Sequence, residues 1–158
     1  IRIPIATGER LSTKNEFFQV LKEGAASILQ PALGRSGGIL ETKKIAAIAE
    51  VNNAHIAPHL YAGPVEWAAN IQLAVNIPNI LMAETILTGG GFSGDLIKNK
   101  IIWDDGFIVA PTSPGIGIEF DEELARNNKY NENRLHLEMQ DESCDYKNSN
   151  TFAGGASD

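Results

Sequence analysis

The stretch Pro4-Ile5-Ala6-Thr7-Gly8-Glu9-Arg10 is an apolar run that ends abruptly in a carboxylate and a guanidinium. The same event recurs downstream: Ser27 to Pro31 ends at Ala32, Ala54 to Pro58 ends at His59, and Asn79 to Ala83 ends at Glu84. Helical patterns fill the intervals. The chain therefore reads as a βα repeat with a period of about 25 residues, the pattern of parallel strands joined by crossover helices. In a (β/α) barrel the C-terminal strand ends line the active site, so Glu9, His59 and Glu84 are expected to converge on one mouth.

Between the strands the helix signals are explicit. Thr13-Lys14-Asn15-Glu16 has the form of a capping box, with Phe17, Val20 and Leu21 at helical spacing behind it and Gly24 where the helix should stop. The second strand, Ile28 to Pro31, feeds Gly34-Arg35-Ser36-Gly37-Gly38, whose glycines permit positive φ and close backbone approach at the mouth. A helix is predicted over Ile39 to Val51, with Ile45, Ile48 and Ala49 inward, Lys43, Lys44 and Glu50 outward, and Asn52-Asn53 ending it. The third strand is His55 to His59. Pro64 opens the next helix, Glu66 follows it, Trp67, Ile71 and Ala74 lie at helical spacing, and Pro78 closes the pattern. Ile80 to Ala83 completes the series as a fourth strand.

From Thr88 the character changes. Gly89-Gly90-Gly91 begins a run to Gly94 that reads as a mobile linker; it lacks the Gly-Lys-Ser/Thr ending and the strand-to-helix setting of a phosphate loop. Ile101 to Ala110 reads as a strand pair turning at Asp104-Asp105-Gly106, Pro114 to Phe120 as a second extended piece, and Asp121 as the N-cap of a helix over Glu122 to Arg126. The polar composition beyond Asn127 predicts disorder. The expected division is a barrel half over 1–87, a C-terminal extension over 88–126 and a polar tail over 127–158.

Composition narrows the function classes. With 158 residues, 43% hydrophobic and 21% charged, the chain has enough apolar material for a folded core. No window approaches the ~20 continuous apolar residues of a membrane span. Thirteen basic against twenty acidic residues give a net charge of −7 with no basic stripe, which argues against nucleic acid as a partner. Cys144, the one cysteine, has no partner for an internal disulfide, which fits a cytoplasmic location. Residue 1 already lies in a strand pattern, and a whole eight-unit barrel takes ~250 residues, so the expectation is half an enzyme that begins mid-fold.

Three side chains carry the candidate chemistry. Glu9, a carboxylate at a strand end, suits a Mg²⁺ ion, which takes oxygen donors and keeps positions open for substrate; the competing reading is an ion pair with Arg35 or Arg10. His59 is the candidate acid or base, because imidazole titrates near neutrality. His55, at the opposite end of the same strand, reads as structural, and His136 carries no role. Glu84 is a candidate both for catalysis and, with Arg10, for substrate binding; its competing reading is a pairing with a basic side chain outside this stretch of chain.

Pro-Ile-Ala-Thr-Gly-Glu-Arg (4 to 10), Gln30-Pro31 with Ser36-Gly37-Gly38-Ile39, Ala57-Pro58-His59 and the strand ending in Glu84, in this order, resemble the C-terminal barrel half of the enolase superfamily. Within it the likeness is to the mandelate racemase-like acid-sugar dehydratases, of the galactonate type. Pro114 to Ile118 resembles that family's closing segment, which returns to a capping domain. The resemblance covers about residues 3 to 126. It implies α/β architecture with strands five to eight of a TIM-type barrel, Glu9 as a metal carboxylate, His59 as the catalytic histidine and Glu84 as the eighth-strand glutamate. It also implies Mg²⁺ as cofactor, with an incomplete site here, and a small-molecule sugar acid as substrate.

One departure bears on the mechanism. The family's sixth strand ends in an aspartate that orients the histidine, and this chain has Ala32 there. Lacking that partner, His59 is expected to be a weaker base than in a His-Asp dyad and to serve better as an acid toward a leaving hydroxyl. Dehydration is the favoured reaction, with cycloisomerisation, epimerisation or racemisation as alternatives. A different class of reading makes the chain a non-catalytic half-barrel. Either way its open strand edges predict a homo-oligomer.

Overall fold

The fold is given by a computed structural model that describes residues 2–85 and 91–129. Gly89, Gly90, His136, Cys144 and the tail from 130 onward lie outside the described residues. Residues 1–127 form one compact unit; of a second, 128–158, only Asn128 and Lys129 are described.

The barrel-like part follows the expected alternation: β1 (Ala6–Thr7), α1 (Lys14–Lys22), β2 (Ile28–Leu29), α2 (Ile39–Val51), β3 (His55–Ile56) and α3 (Pro64–Ala74). The strands form one parallel sheet in chain order, with Ala6 opposite Ile28, Thr7 opposite Leu29, Ile28 opposite His55 and Leu29 opposite Ile56. Pairing resumes past the named strands, where Ala32 bridges His59 in parallel.

The expected fourth strand needs correction. Only Ile80 pairs, with Ile56, and the Leu81 amide donates to the Ile56 carbonyl at 2.8 Å. Residues 81–84 are exposed and form no second ladder among the described residues, so this segment is extended without being a regular strand.

Helix ends obey local chemistry. The Thr13 hydroxyl accepts from the Glu16 amide at 3.3 Å while the Glu16 carboxylate accepts from the Thr13 amide at 2.8 Å, closing the capping box. At the other end of α1, Gly24 takes φ +60°, its amide donates to the Leu21 carbonyl, and the Ala25 amide donates to the Val20 carbonyl, a Schellman stop. Asn53, at φ 55°, ends α2 in the same way through Glu50 and Ala49.

The core joins the helices to the sheet. Phe17 from α1, Leu29 and Ile56 from the strands, Ile45 and Ala49 from α2 and Leu73 from α3 are buried in one cluster. Lys14 and Lys44 both bond Glu41, tying α1 to the first turn of α2. The Lys14 and then the Lys44 hydrogen bonds hold the Glu41 carboxyl below the usual carboxylate range, and Thr13 and Ser12 do the same for Glu16. Depressed values of this kind contribute stability above the ordinary carboxylate pKa that is lost as pH falls through the folded-state one. Acid titration should therefore release the N-terminal turn of α1 early; amide exchange in that turn that stays as slow in acid as at neutral pH would contradict this.

Further elements follow α3 in the chain, and residues of their hairpin join α3 in a second apolar cluster. These elements are α4 (Gly91–Asp95), β4 (Ile102–Asp104), β5 (Phe107–Val109) and α5 (Glu122–Asn127). β4 and β5 form an antiparallel hairpin that turns at Asp105 and Gly106, with φ 45° and 83°. Trp103 and Ile108 on its inner face join Leu60, Trp67, Ile71 and Ile97, and the Trp67 and Trp103 rings stack with centroids 6.4 Å apart. Two expectations fail in this region. Gly91 to Asp95 is helical where a linker was predicted, and Pro114 to Phe120 is largely turn: Gly115 and Gly117 take φ 77° and 86°, and only Phe120 pairs, with Ile97. A Cβ at Gly117 would lie 2.6 Å from Pro111, so the tight turn requires glycine there. Gln72 of α3 donates to the carbonyls of Pro111 and Ile116 and clamps the turn in place. The Asp121 carboxylate accepts from the Leu124 amide at 2.9 Å, the expected cap.

Candidate active site

Each candidate side chain is set by the backbone just beyond a strand. Gly8, at φ 130°, is buried beneath Phe17, whose ring would lie 2.6 Å from any Cβ placed there. Only glycine fits, and the turn it makes after β1 leaves Glu9 on the exposed side. His59 is fixed by its amide, which donates to the Pro31 carbonyl at 3.1 Å, and by its bridge to Ala32. Glu84 ends the extended segment that starts at Ile80.

The three converge. His59 Nδ1 lies 2.8 Å from Glu84 Oε2 and 3.7 Å from Glu9 Oε2. Glu84 Oε2 also accepts from the Leu60 amide at 2.7 Å, so one carboxylate oxygen holds both the ring of His59 and the backbone next to it. His59 is the most enclosed of the three, at 23% side-chain exposure against 56% for Glu9. Arg10 Nε lies 3.8 Å from Glu9 Oε1 with its side chain 90% exposed, so of the two expected ion pairs Glu9 makes the one with Arg10 and not the one with Arg35. An exposed pair of this length contributes little to stability. Glu9 and Arg10 also line a cleft of about 410 Å³ formed by residues 6–11 and Gln30.

His55 stays apart, exposed and paired with Ile28 at the start of the ladder. Two features escaped the sequence reading. Glu84 finds its partner within this chain, which corrects the expectation that His59 lacks an anionic neighbour. Glu66 accepts from the Gly34 amide at 2.9 Å, tying the loop after β2 to the first turn of α3; a Cβ at Gly34 would lie 2.6 Å from the Glu66 carboxylate. Gly34 was the available signal, a residue without a side chain opposite an acidic first helical turn.

Among the described residues no group of three or more His, Cys, Asp or Glu side chains is arranged to hold a metal ion. Glu9 fits as a single hard-oxygen donor: it is half exposed, beside an open cleft, and its pair with Arg10 is long and exposed. A complete shell needs donors beyond those described.

Parallel strands with intervening helices, and two carboxylates and a histidine gathered at one end of the sheet, define part of a (β/α)-barrel. Residues 1–124 match the enolase C-terminal domain-like family, and the chain belongs to it. A D-galactonate dehydratase of Variovorax paradoxus is 42% identical over 127 residues, which are 77% of this chain and 33% of that protein. A mandelate racemase/muconate lactonizing enzyme of a Sulfitobacter species superposes with a TM-score of 0.84 at 66% identity, over 92% of this chain and 36% of that one. An enolase of Agrobacterium radiobacter, solved with sodium and L-malate bound, superposes with a TM-score of 0.74 at 29% identity, over 80% of this chain and 36% of that one. The chain thus spans about a third of the length of these relatives.

Proposed function

We propose that this chain is the C-terminal barrel half, strands five to eight, of a Mg²⁺-dependent acid-sugar dehydratase that removes the proton α to the substrate carboxylate and expels a β-hydroxyl as water. In this reading residues 1–87 belong to the barrel, 88–126 form an extension that also meets a capping domain, and the remaining metal ligands lie outside the chain. The observation that carries it is the convergence of Glu9, His59 and Glu84 beyond the C-terminal strand ends, together with the likeness to the galactonate dehydratase.

The residues divide the work. Glu9 contributes one carboxylate to the metal shell. When bound, the divalent ion offsets the negative charge that develops on the substrate carboxylate as the α-proton leaves. With Nδ1–H engaged by Glu84, Nε2 is the His59 nitrogen left to exchange protons with substrate: the ring, doubly protonated when it acts, passes its Nε2 proton to the departing hydroxyl as the C–O bond breaks and returns to the neutral Nδ1–H form, while a base outside this chain takes the α-proton. Glu84 Oε1, which makes no hydrogen bond among the described residues, is available to a substrate hydroxyl, and the exposed Arg10 guanidinium to an anionic substrate oxygen.

The test is a dehydration assay on the full-length protein with a panel of sugar acids and Mg²⁺, following formation of the 2-keto-3-deoxy acid. No dehydration of any panel member would overturn the reading. Glu9→Gln keeps the shape and removes the charge, so it should weaken Mg²⁺ binding by about tenfold or more, ~1.4 kcal/mol. Calorimetric titration that finds unchanged affinity would remove Glu9 from the metal shell.

A further inference from the structure

We infer that Glu84 is the positioning residue of His59, standing in for a carboxylate that the neighbouring strand does not provide, and that it fixes the ring in the Nδ1–H tautomer. A neutral imidazole carries one N–H, and which nitrogen holds it is decided by the hydrogen bond the other environment offers. Ionised carboxylates only accept, so the 2.8 Å contact between Nδ1 and Glu84 Oε2 requires the proton on Nδ1 and leaves Nε2 with a lone pair. Glu9 cannot do this, because its nearer oxygen stands 3.7 Å from Nδ1, beyond hydrogen-bond length.

The same Glu84 oxygen accepts from the Leu60 amide at 2.7 Å. Ring and backbone are thus held from one atom, and the carboxylate cannot swing toward solvent without breaking both bonds. Ala32 explains why the duty falls here. It lies directly opposite His59 in a parallel bridge, where neighbouring side chains leave the sheet on the same face, yet its methyl group has nothing to offer the imidazole. A carboxylate at position 32 would stand opposite the same ring, so positions 32 and 84 are alternative sources of one interaction.

The consequence for turnover rests on the proposed function, but the tautomer does not, and the experiment separates them. Histidine labelled with ¹⁵N in the full-length protein gives two-bond correlation patterns that distinguish Nδ1–H from Nε2–H; His59 is identified by its loss in His59→Asn, and spectra are taken with the ring neutral. The unsubstituted protein should show Nδ1–H. Glu84→Ala should move His59 to the Nε2–H form that free imidazole favours, Glu9→Gln should leave it in place, and adding Ala32→Asp to Glu84→Ala should restore Nδ1–H. An Nε2–H ring in the unsubstituted protein overturns the inference without any variant, and so does a tautomer unmoved by Glu84→Ala. Failure of Ala32→Asp to restore it overturns the claim that the two positions are equivalent. If the tautomers behave as stated while dehydration is absent throughout, the positioning role stands and the dehydratase reading falls.

Discussion

His59→Asn in the full-length protein should lower turnover by about 10²- to 10⁴-fold, the range for loss of a positioned acid or base, while Mg²⁺ affinity stays unchanged. The two readouts are expected to separate because the histidine engages Glu84 through Nδ1, 2.8 Å away, and stands 3.7 Å from Glu9, the one candidate metal carboxylate. Asparagine retains a polar group of similar reach and can donate to Glu84, so the carboxylate is not left unpaired and the surrounding fold should hold. Turnover measured beside calorimetric Mg²⁺ titration decides the matter. Lost affinity would reassign His59 as a ligand, and full turnover would make it structural.

Much of this site was legible because strand ends announce themselves. Apolar runs that stop at Glu9, His59 and Glu84 specify where parallel strands surface, and the helices between them carry their own caps, so the order of elements follows from local chemistry alone. The site's internal wiring did not follow. That Glu84 bonds His59 and the Leu60 amide depends on how far one extended segment runs past its neighbour, a register that single-strand patterns do not encode. The departure at Ala32 was visible, but its consequence was read from one strand only, and the compensating carboxylate came from the other. Beyond position 88 the glycines misled in both directions. Gly91 begins a helical turn, and Gly115 and Gly117 fold a turn clamped by Gln72 where an extended run was expected. The hairpin at Asp105-Gly106 was legible because its turn chemistry is local, whereas its docking on Trp67 through Trp103 is a tertiary contact.

The chain of 158 residues, expressed alone, should self-associate and should not dehydrate any sugar acid. Among the described residues β1 pairs with β2 alone, so its other edge has no strand partner there, and Ile3 and Ile5 beside it are exposed. At the opposite side of the sheet the segment after Ile80 is paired on one side alone, with Leu81 and Met82 exposed. Parallel sheets are stable when both faces and edges are covered, and exposed edges flanked by apolar side chains recruit another chain. No described residue pairs with these edges, so the cover expected in the isolated chain is a second copy. Activity should be absent for a separate reason: among the described residues no group of three or more His, Cys, Asp or Glu side chains is arranged to hold a metal, so Glu9 lacks the rest of a metal shell. Sedimentation at low micromolar concentration, run beside the dehydration assay, tests the two halves independently. A stable monomer would contradict the argument from open edges, and turnover by the isolated chain would contradict the argument that its metal shell is incomplete.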